Sequence, residues 1–166
     1  MASNPLDLFI GKGIVTFTPS GGAARDLGEV EVFDFTPSLE KLEYKGNRSG
    51  VKSTVRSVVT EKSGLLRLVM AEWSVENLAL SLLGEVDTAG TGLEIFAASE
   101  IAGEIVLVGT NDIGPKYTVT IPNVSFIPQG TTSFITDEWG KLELQGEVGI
   151  DETGSFGTVV QTAAGA

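Results

Sequence analysis

The 166-residue sequence predicts a mainly β fold, an antiparallel β-sandwich or barrel with one flanking α-helix, built as a single domain over residues 1–166. Three observations predict it. Apolar and polar residues alternate with a period of two in several segments, most regularly from Trp139 to Ile150. Only one segment, Ser74 to Leu83, has a convincing helical period. The predicted strands also follow one another without intervening helices, which is typical of antiparallel sheets.

The first predicted strands lie behind an N-terminal arm of about residues 1–11. A strand is predicted from Lys12 to Thr18 and a second from Leu27 to Thr36. Within the second strand the apolar positions shift by one residue, which predicts a β-bulge or a change of pairing partner. Pro37 is predicted to end this strand, because proline lacks the backbone N–H that a sheet needs.

The segment from Leu39 to Lys62 predicts a long protruding β-hairpin. Its second half is rich in β-branched residues, which favour strands. Its tip, Lys45 to Gly50, has the glycine and asparagine content of a turn and carries basic side chains. A more apolar strand is predicted to follow from Leu65 to Ala71.

The predicted helix runs from Ser74 to Leu83. Its apolar stripe consists of Val75, Leu78, Ala79, Leu82 and Leu83. Ser74 is suited to cap the first turn, and Gly84 is suited to end the helix. The helix is short, so packing on a sheet is expected to stabilise it.

The last regular strand is predicted between Trp139 and Ile150. Its buried face is expected to consist of Leu142, Leu144, Val148 and Ile150. Its wet face is expected to consist of Lys141, Glu143, Gln145 and Glu147. The remaining tail, about residues 152–166, is rich in glycine, alanine and threonine and is expected to be flexible.

The composition argues against an enzyme. The chain has no cysteine and no histidine, which excludes thiolate metal sites and catalytic triads based on histidine. The adjacent acids Asp137-Glu138 and Asp151-Glu152 are interpreted as solvated turn residues, because sequence neighbours on a strand point to opposite faces. No catalytic, metal-binding or cofactor-binding residues are therefore predicted. No targeting or membrane-spanning segment is recognised, and the chain is expected to be made in a cytoplasm.

The charge of the chain is unevenly distributed. The net charge is −11, yet seven basic and only two acidic residues lie between Lys41 and Arg67. The basic hairpin admits three interpretations: a solvated projection, a nucleic-acid contact, or a surface that docks on the acidic body of a second copy. We favour docking, because the many other acids repel phosphate and because a head-to-tail contact between copies builds rings or filaments.

Several segments together resemble the tail tube (major tail) proteins of long-tailed bacteriophages and their gene-transfer relatives. They are the opening Leu27–Tyr44, the basic glycine-containing loop after it, the helix segment Glu72–Gly84, the segment Val124–Pro128 and the strand Leu142–Ile150. The resemblance covers most of the chain as a pattern. It includes no catalytic motif.

The resemblance implies a structural virion protein. Six subunits would form a ring, and stacked rings would form the tail tube, which is assembled in the host cytoplasm and delivers DNA into the host cell. The implied partners are further copies of the chain, the tape measure protein, the tail terminator and the baseplate or distal tail proteins. DNA would pass through the lumen without specific binding. No cofactor and no membrane contact are implied.

Two sets of residues carry the assembly hypothesis. The residues expected to stack one ring on the next are Lys45, Arg48, Lys52 and Arg56. The residues expected to line the lumen are Glu29, Glu31, Glu143 and Glu147. The polar strand face that carries the second set can equally be the outer surface of the tube.

Three other classes of protein remain alternatives. One is a β-sandwich carbohydrate-binding module, although the two Trp and two Tyr residues do not cluster in sequence. Another is a different virion component, such as a tail terminator or a capsid decoration protein. A hydrolase acting through carboxylates ranks last.

Overall fold

Strands dominate the computed structural model, which describes residues 4–48 and 50–163. The strands are β1 (Gly13–Pro19), β2 (Arg25–Asp26), β3 (Val30–Gly46), β4 (Ser53–Met70), β5 (Glu85–Val86), β6 (Leu93–Glu94), β7 (Ile101–Gly109), β8 (Lys116–Ile127), β9 (Leu142–Val148) and β10 (Thr158–Ala163). The helix is α1 (Val75–Leu82), and a short 3-10 turn spans Pro5–Asp7. This confirms the predicted mainly β fold with one flanking helix.

One antiparallel sheet contains eight of the strands, in the order β2-β1-β7-β8-β9-β4-β3, with β10 also paired to β8. The same edge of β8 serves two partners. Residues 116–120 pair with β10, whereas residues 124–127 pair with β9. The other edge of β8 pairs with β7. Strand β8 therefore joins the two halves of the sheet, and strands β5 and β6 form a separate two-stranded sheet.

The core lies on one face of the large sheet. Alternate residues of β4 and β9 are buried, as a period of two requires, and they include Leu66, Leu68 and Leu144. Aromatic residues of β1 and β8 meet in the core, where Phe17 and Phe126 pack edge to face with ring centroids 5.2 Å apart. The predicted buried face of β9 is confirmed except at Ile150, which lies beyond the end of the strand and is exposed.

Strand β3 continues through Pro37, so the prediction that Pro37 ends a strand is wrong. Pro37 pairs with Gly64 of β4. The proline is tolerated because β3 is the last strand in the sheet order, where one edge needs no hydrogen-bond donor. The predicted phase slip corresponds to a register shift between Val30 and Val32.

Helix α1 begins as predicted, since the Ser74 hydroxyl accepts a hydrogen bond from the Asn77 backbone N–H at 3.1 Å. The predicted apolar stripe is only partly right. Val75, Leu78 and Leu82 are half-buried, whereas the buried residues of the helix are Asn77, Ala79, Leu80 and Ser81. The helix ends at Leu83, which adopts the left-handed conformation expected of Gly84.

A polar contact sets the orientation of α1. The Asn77 amide donates to the backbone oxygens of Leu27 and Glu72 at 2.9 and 3.0 Å. Its oxygen accepts a 2.7 Å hydrogen bond from the guanidinium of Arg25 in β2. Burial lowers the pKa of Arg25, and the nearby Glu76 opposes that shift. Hydrogen bonds to buried groups are specific, so this contact fixes which helix face meets the sheet.

The C-terminal tail is not a flexible segment throughout. Residues 158–163 form β10, because β-branched Thr158, Val159 and Val160 pair with the edge of β8 that β9 leaves free. Residues 164–166 of the predicted tail lie outside the described residues. The same holds for residues 1–3 of the predicted arm and for Ser49 in the predicted hairpin tip.

A carboxylate turn leads into β10. The side chain of Asp151 accepts hydrogen bonds from the Thr153 hydroxyl at 2.7 Å and from the backbone N–H groups of Thr153 and Ser155 at 2.8 Å. These bonds favour the ionised carboxylate, so they lower the pKa of Asp151 below the usual range of an aspartate, led by the Thr153 hydroxyl. The turn is therefore expected to loosen in acid.

We expect Asp151→Ala to destabilise the protein at pH 7. In acid, we expect the variant and the wild type to have nearly the same stability. A lowered folded-state pKa gives stability that is present above the ordinary aspartate pKa of about 3.9 and is lost as the pH falls through the folded-state value. Melting temperatures of both proteins from pH 7 to pH 2.5 measure it, with Glu152→Ala as the matched neighbour. A difference between wild type and Asp151→Ala that does not shrink below about pH 4 would contradict this account.

Candidate assembly surfaces

The outer part of the β3–β4 hairpin projects beyond the sheet. Strand β9 pairs with β4 only from Gly64 to Met70. From Ser53 to Ser63, the only strand of the described residues that pairs with β4 is therefore β3. The ten residues of β3 from Pro37 to Gly46 span about 33 Å at the usual rise per residue. The predicted long protruding hairpin is confirmed, and it starts near Pro37 and Gly64.

Gly64 forms the base of the projection. A Cβ atom on Gly64 would lie 2.7 Å from the ring of Phe35 and 3.3 Å from the side chain of Val148. The missing side chain lets the Phe35 ring lie over β4 at the point where β9 ends. The hairpin is thereby held to the sheet at its base by an aromatic contact.

The four predicted stacking residues lie together near the tip of the hairpin. Lys45 pairs with Thr54 near the end of β3, Arg48 lies in the turn, Lys52 precedes β4, and Arg56 pairs with Tyr44. All four side chains are exposed. In the described parts of the chain, four ion pairs are found, and none of them includes these residues.

One face of the hairpin is apolar, which the sequence did not indicate. Cross-strand partners share a face, so the pair Leu42 and Val58 lies on the same side as the pair Tyr44 and Arg56. Leu42 and Tyr44 are each 69% exposed. In the sequence, the alternation of these apolar residues indicates only a strand. Because the hairpin extends beyond the rest of the sheet, no core covers these side chains.

The predicted lumen residues are only partly brought together. Glu143 and Glu147 share the outer face of β9. Glu31 lies at the register shift of β3, and Glu29 precedes that strand. Their role as a lumen lining stays a prediction.

Two of these acids are paired with cations. Glu143 accepts a hydrogen bond from Arg67 at 2.5 Å, and Asp34 lies 3.7 Å from the same guanidinium. The Glu143 hydrogen bond, with help from the charges of Glu143 and Asp34, raises the pKa of Arg67. Lys141 pairs with Glu31 at 2.5 Å. The outer face of β4 and β9 is therefore a mixed-charge surface.

A second exposed apolar surface lies in the connection between β8 and β9. Residues 128–141 contain no helix or strand, although Trp139 was predicted to start the last strand. Ile135 is 97% exposed and Trp139 is 91% exposed. Phe134 packs edge to face on Trp73 with ring centroids 5.6 Å apart. We call residues 134–139 the aromatic loop.

The comparisons with known proteins identify a family. The family described as "Protein of unknown function UCP028589" matches residues 8–94, which is more than half of the chain. The chain belongs to the UCP028589 family. A comparison with curated proteins finds no match.

The UCP028589 match spans the whole hairpin. It begins in the N-terminal arm and ends with β6, so it also includes α1. The aromatic loop, β9 and β10 lie beyond it. The projecting hairpin is thus part of the segment by which this chain is assigned to the UCP028589 family.

An apolar groove of about 420 Å³ lies between β3 and β8. It is lined by Phe33, Phe35, Tyr117, Val119, Phe156 and Val159. Phe9 of the N-terminal arm borders it and packs edge to face on Tyr117, with ring centroids 5.9 Å apart. The arm of this UCP028589 protein therefore covers part of the groove.

Residues 4–48 and 50–163 contain no group of three or more acidic, histidine or cysteine side chains placed to hold a metal ion. Within the same residues, no helix combines the length and the apolar character needed to cross a membrane.

Proposed function

We propose that this UCP028589 protein is a self-assembling tail tube protein of a long-tailed bacteriophage or of a gene-transfer relative. Its copies form rings, with six subunits as the resemblance implies, and the rings stack into the channel for DNA delivery. The observation that carries the proposal is the projecting hairpin, which exposes apolar side chains and basic side chains far from the core.

The exposed apolar face supports assembly because soluble monomers rarely expose contiguous apolar surface of this kind. Leu42, Tyr44 and Val58 of this face are each more than half exposed. Burying such side chains in a contact between copies is favourable by about 1.5–3 kcal/mol for each one that is fully buried. A hairpin that served only as a surface turn would have no need for them.

The charge distribution supports a contact between unlike surfaces. The basic hairpin belongs to a chain whose net charge is −11, so the rest of the molecule is strongly acidic. A contact between the hairpin of one copy and the body of the next is heterologous, and heterologous contacts build closed rings or open-ended filaments. In this proposal Glu143 and Glu147 lie on the wall of the tube. Arg67 offsets the charge of Glu143, whereas Glu147 forms none of the four ion pairs found among the described residues, so its charge repels DNA.

We expect tubes with a central channel in low salt and shortened or dispersed tubes in high salt. The Debye length falls from about 10 Å at 0.1 M to about 3 Å at 1 M, so contacts between the basic hairpin and acidic surfaces weaken. Negative-stain electron microscopy of the purified protein at 50 mM and 1 M sodium chloride measures this. A protein that stays monomeric at every salt and protein concentration, even with preformed tail ends added as initiators, would contradict the proposal.

A carbohydrate-binding module is a second candidate, and one observation favours it. Trp73 contacts Phe134 and lies against Gly140, next to the exposed Trp139, so aromatic residues distant in sequence meet in space. Aromatic rings of this kind can stack on sugars. A monomeric protein that binds a glycan array, and loses that binding on Trp139→Ala, would favour this function over tube assembly.

A further inference from the structure

The aromatic loop and the hairpin lie at opposite ends of the same pair of strands. Leu142, the first residue of β9, pairs with Met70 at the end of β4, and the aromatic loop lies just before it. Val148, the last residue of β9, pairs with Gly64, where the hairpin leaves the sheet. The seven residues of β9 separate the two surfaces by about 23 Å at the usual rise per residue.

The aromatic loop combines apolar and acidic side chains. Ile135 and Trp139 point away from the protein, and Asp137 and Glu138 lie between them in sequence. The packing of Phe134 on Trp73 holds the loop at its base. The loop therefore presents a fixed apolar surface that carries negative charge.

The hairpin presents the complementary combination. Its apolar face contains Leu42, Tyr44 and Val58, and Arg56 lies on that same face opposite Tyr44. Lys45 follows directly at the tip. Apolar side chains can therefore meet apolar side chains, and the carboxylates of the loop can meet the cations of the hairpin.

We propose that the aromatic loop of one copy is the docking site for the hairpin of the next copy. The contact cannot form within one chain, because the two surfaces lie at opposite ends of the β4–β9 pair. Repeating it places each molecule ahead of the previous one along the strand direction. This inference rests on the proposed self-assembly and names the surface that receives the hairpin.

Charge reversal tests the pairing. The hairpin variant carries Lys45→Glu and Arg56→Glu, and the loop variant carries Asp137→Lys and Glu138→Lys. We expect each variant to need at least a tenfold higher protein concentration for assembly, because like charges then face each other across the contact. We expect the four changes combined in one chain to restore assembly. Glu85→Lys with Glu152→Lys is the control for the loop variant, because it makes the same change in net charge at exposed sites elsewhere.

Mixing the two variants tests whether the hairpin of one copy meets the loop of another. An equimolar mixture retains one intact hairpin, on the loop variant, and one intact loop, on the hairpin variant. The reversed hairpin of the first variant also matches the reversed loop of the second, so we expect analytical ultracentrifugation to show alternating co-assembly in the mixture, although each variant alone sediments as a monomer at the same concentration. Circular dichroism melting of both variants checks that their fold is retained.

The outcomes separate this inference from the proposed function. If the wild type forms tubes and the loop variant assembles as well as the control, the loop is not the docking site and self-assembly stands. If the two variants co-assemble and the wild type forms filaments or rings that are not tubes, the contact stands and the tube function is wrong. A monomeric wild type together with no complex in the mixture would overturn both.

Discussion

Truncation of Leu68 to alanine is expected to lower the free energy of unfolding by about 3–5 kcal/mol, whereas the same truncation at Leu42 is expected to lower it by less than about 0.5 kcal/mol. Leu68 has no exposed surface and lies in the core between β3 and β9. Its loss leaves a cavity that the surrounding side chains fill only in part. Leu42 lies on the projecting hairpin and has no core contacts to lose.

Urea denaturation of monomeric protein, followed by circular dichroism, measures both values. The pair is informative because the chemical change is identical and only the location differs. Equal losses at Leu68 and Leu42 would mean that the hairpin packs against the body of its own chain, and its apolar face would then be unavailable to a partner.

The apolar face of the hairpin is expected to control assembly without affecting folding. We expect Leu42→Ser with Val58→Ser to raise the protein concentration needed for assembly by about 100-fold or more. Each substitution removes at least about 1.5 kcal/mol of apolar contact between copies. A loss of about 1.4 kcal/mol weakens an association constant tenfold. Light scattering over a concentration series measures the change.

The opposite face of the same hairpin provides the matched control. Leu39 pairs with Lys62 and Val59 pairs with Lys41, so Leu39→Ser with Val59→Ser makes the same chemical change on the other side. We expect this control to assemble at nearly the wild-type concentration. A larger effect from Leu39 and Val59 than from Leu42 and Val58 would show that the wrong face was assigned to the contact.

Local signals predicted the elements whose structure depends on neighbours in sequence. The Ser74 cap was predictable because the acceptor and the Asn77 N–H lie three residues apart. The buried residues Leu142, Leu144 and Val148 were predictable because a strand with one wet face repeats every two residues. The hairpin was predictable from its turn residues and the β-branched segment that follows them.

Features that depend on distant partners were not predictable in the same way. Pro37 is compatible with β3 because no strand of the part of the chain that the structure describes lies beyond that edge. Asn77 is buried because Leu27 and Arg25, about fifty residues earlier, supply its hydrogen-bond partners. The basic charge at the tip was visible in sequence, whereas the exposure of Leu42 depends on where β9 stops covering β4.

Because one edge of β8 pairs with both β9 and β10, the last part of the sheet forms late in synthesis. Residues 116–120 of β8 remain unpaired on this edge until β10 is made, and the first residue of β10 lies 38 positions after Thr120. At the usual elongation rate of about 5–20 residues per second, this interval is about 2–8 s, during which the nascent chain exposes an unpaired β edge. Other nascent chains on the same polysome can present the same edge at that moment. Once β10 has been made and has paired with β8, this edge is no longer available for pairing between nascent chains.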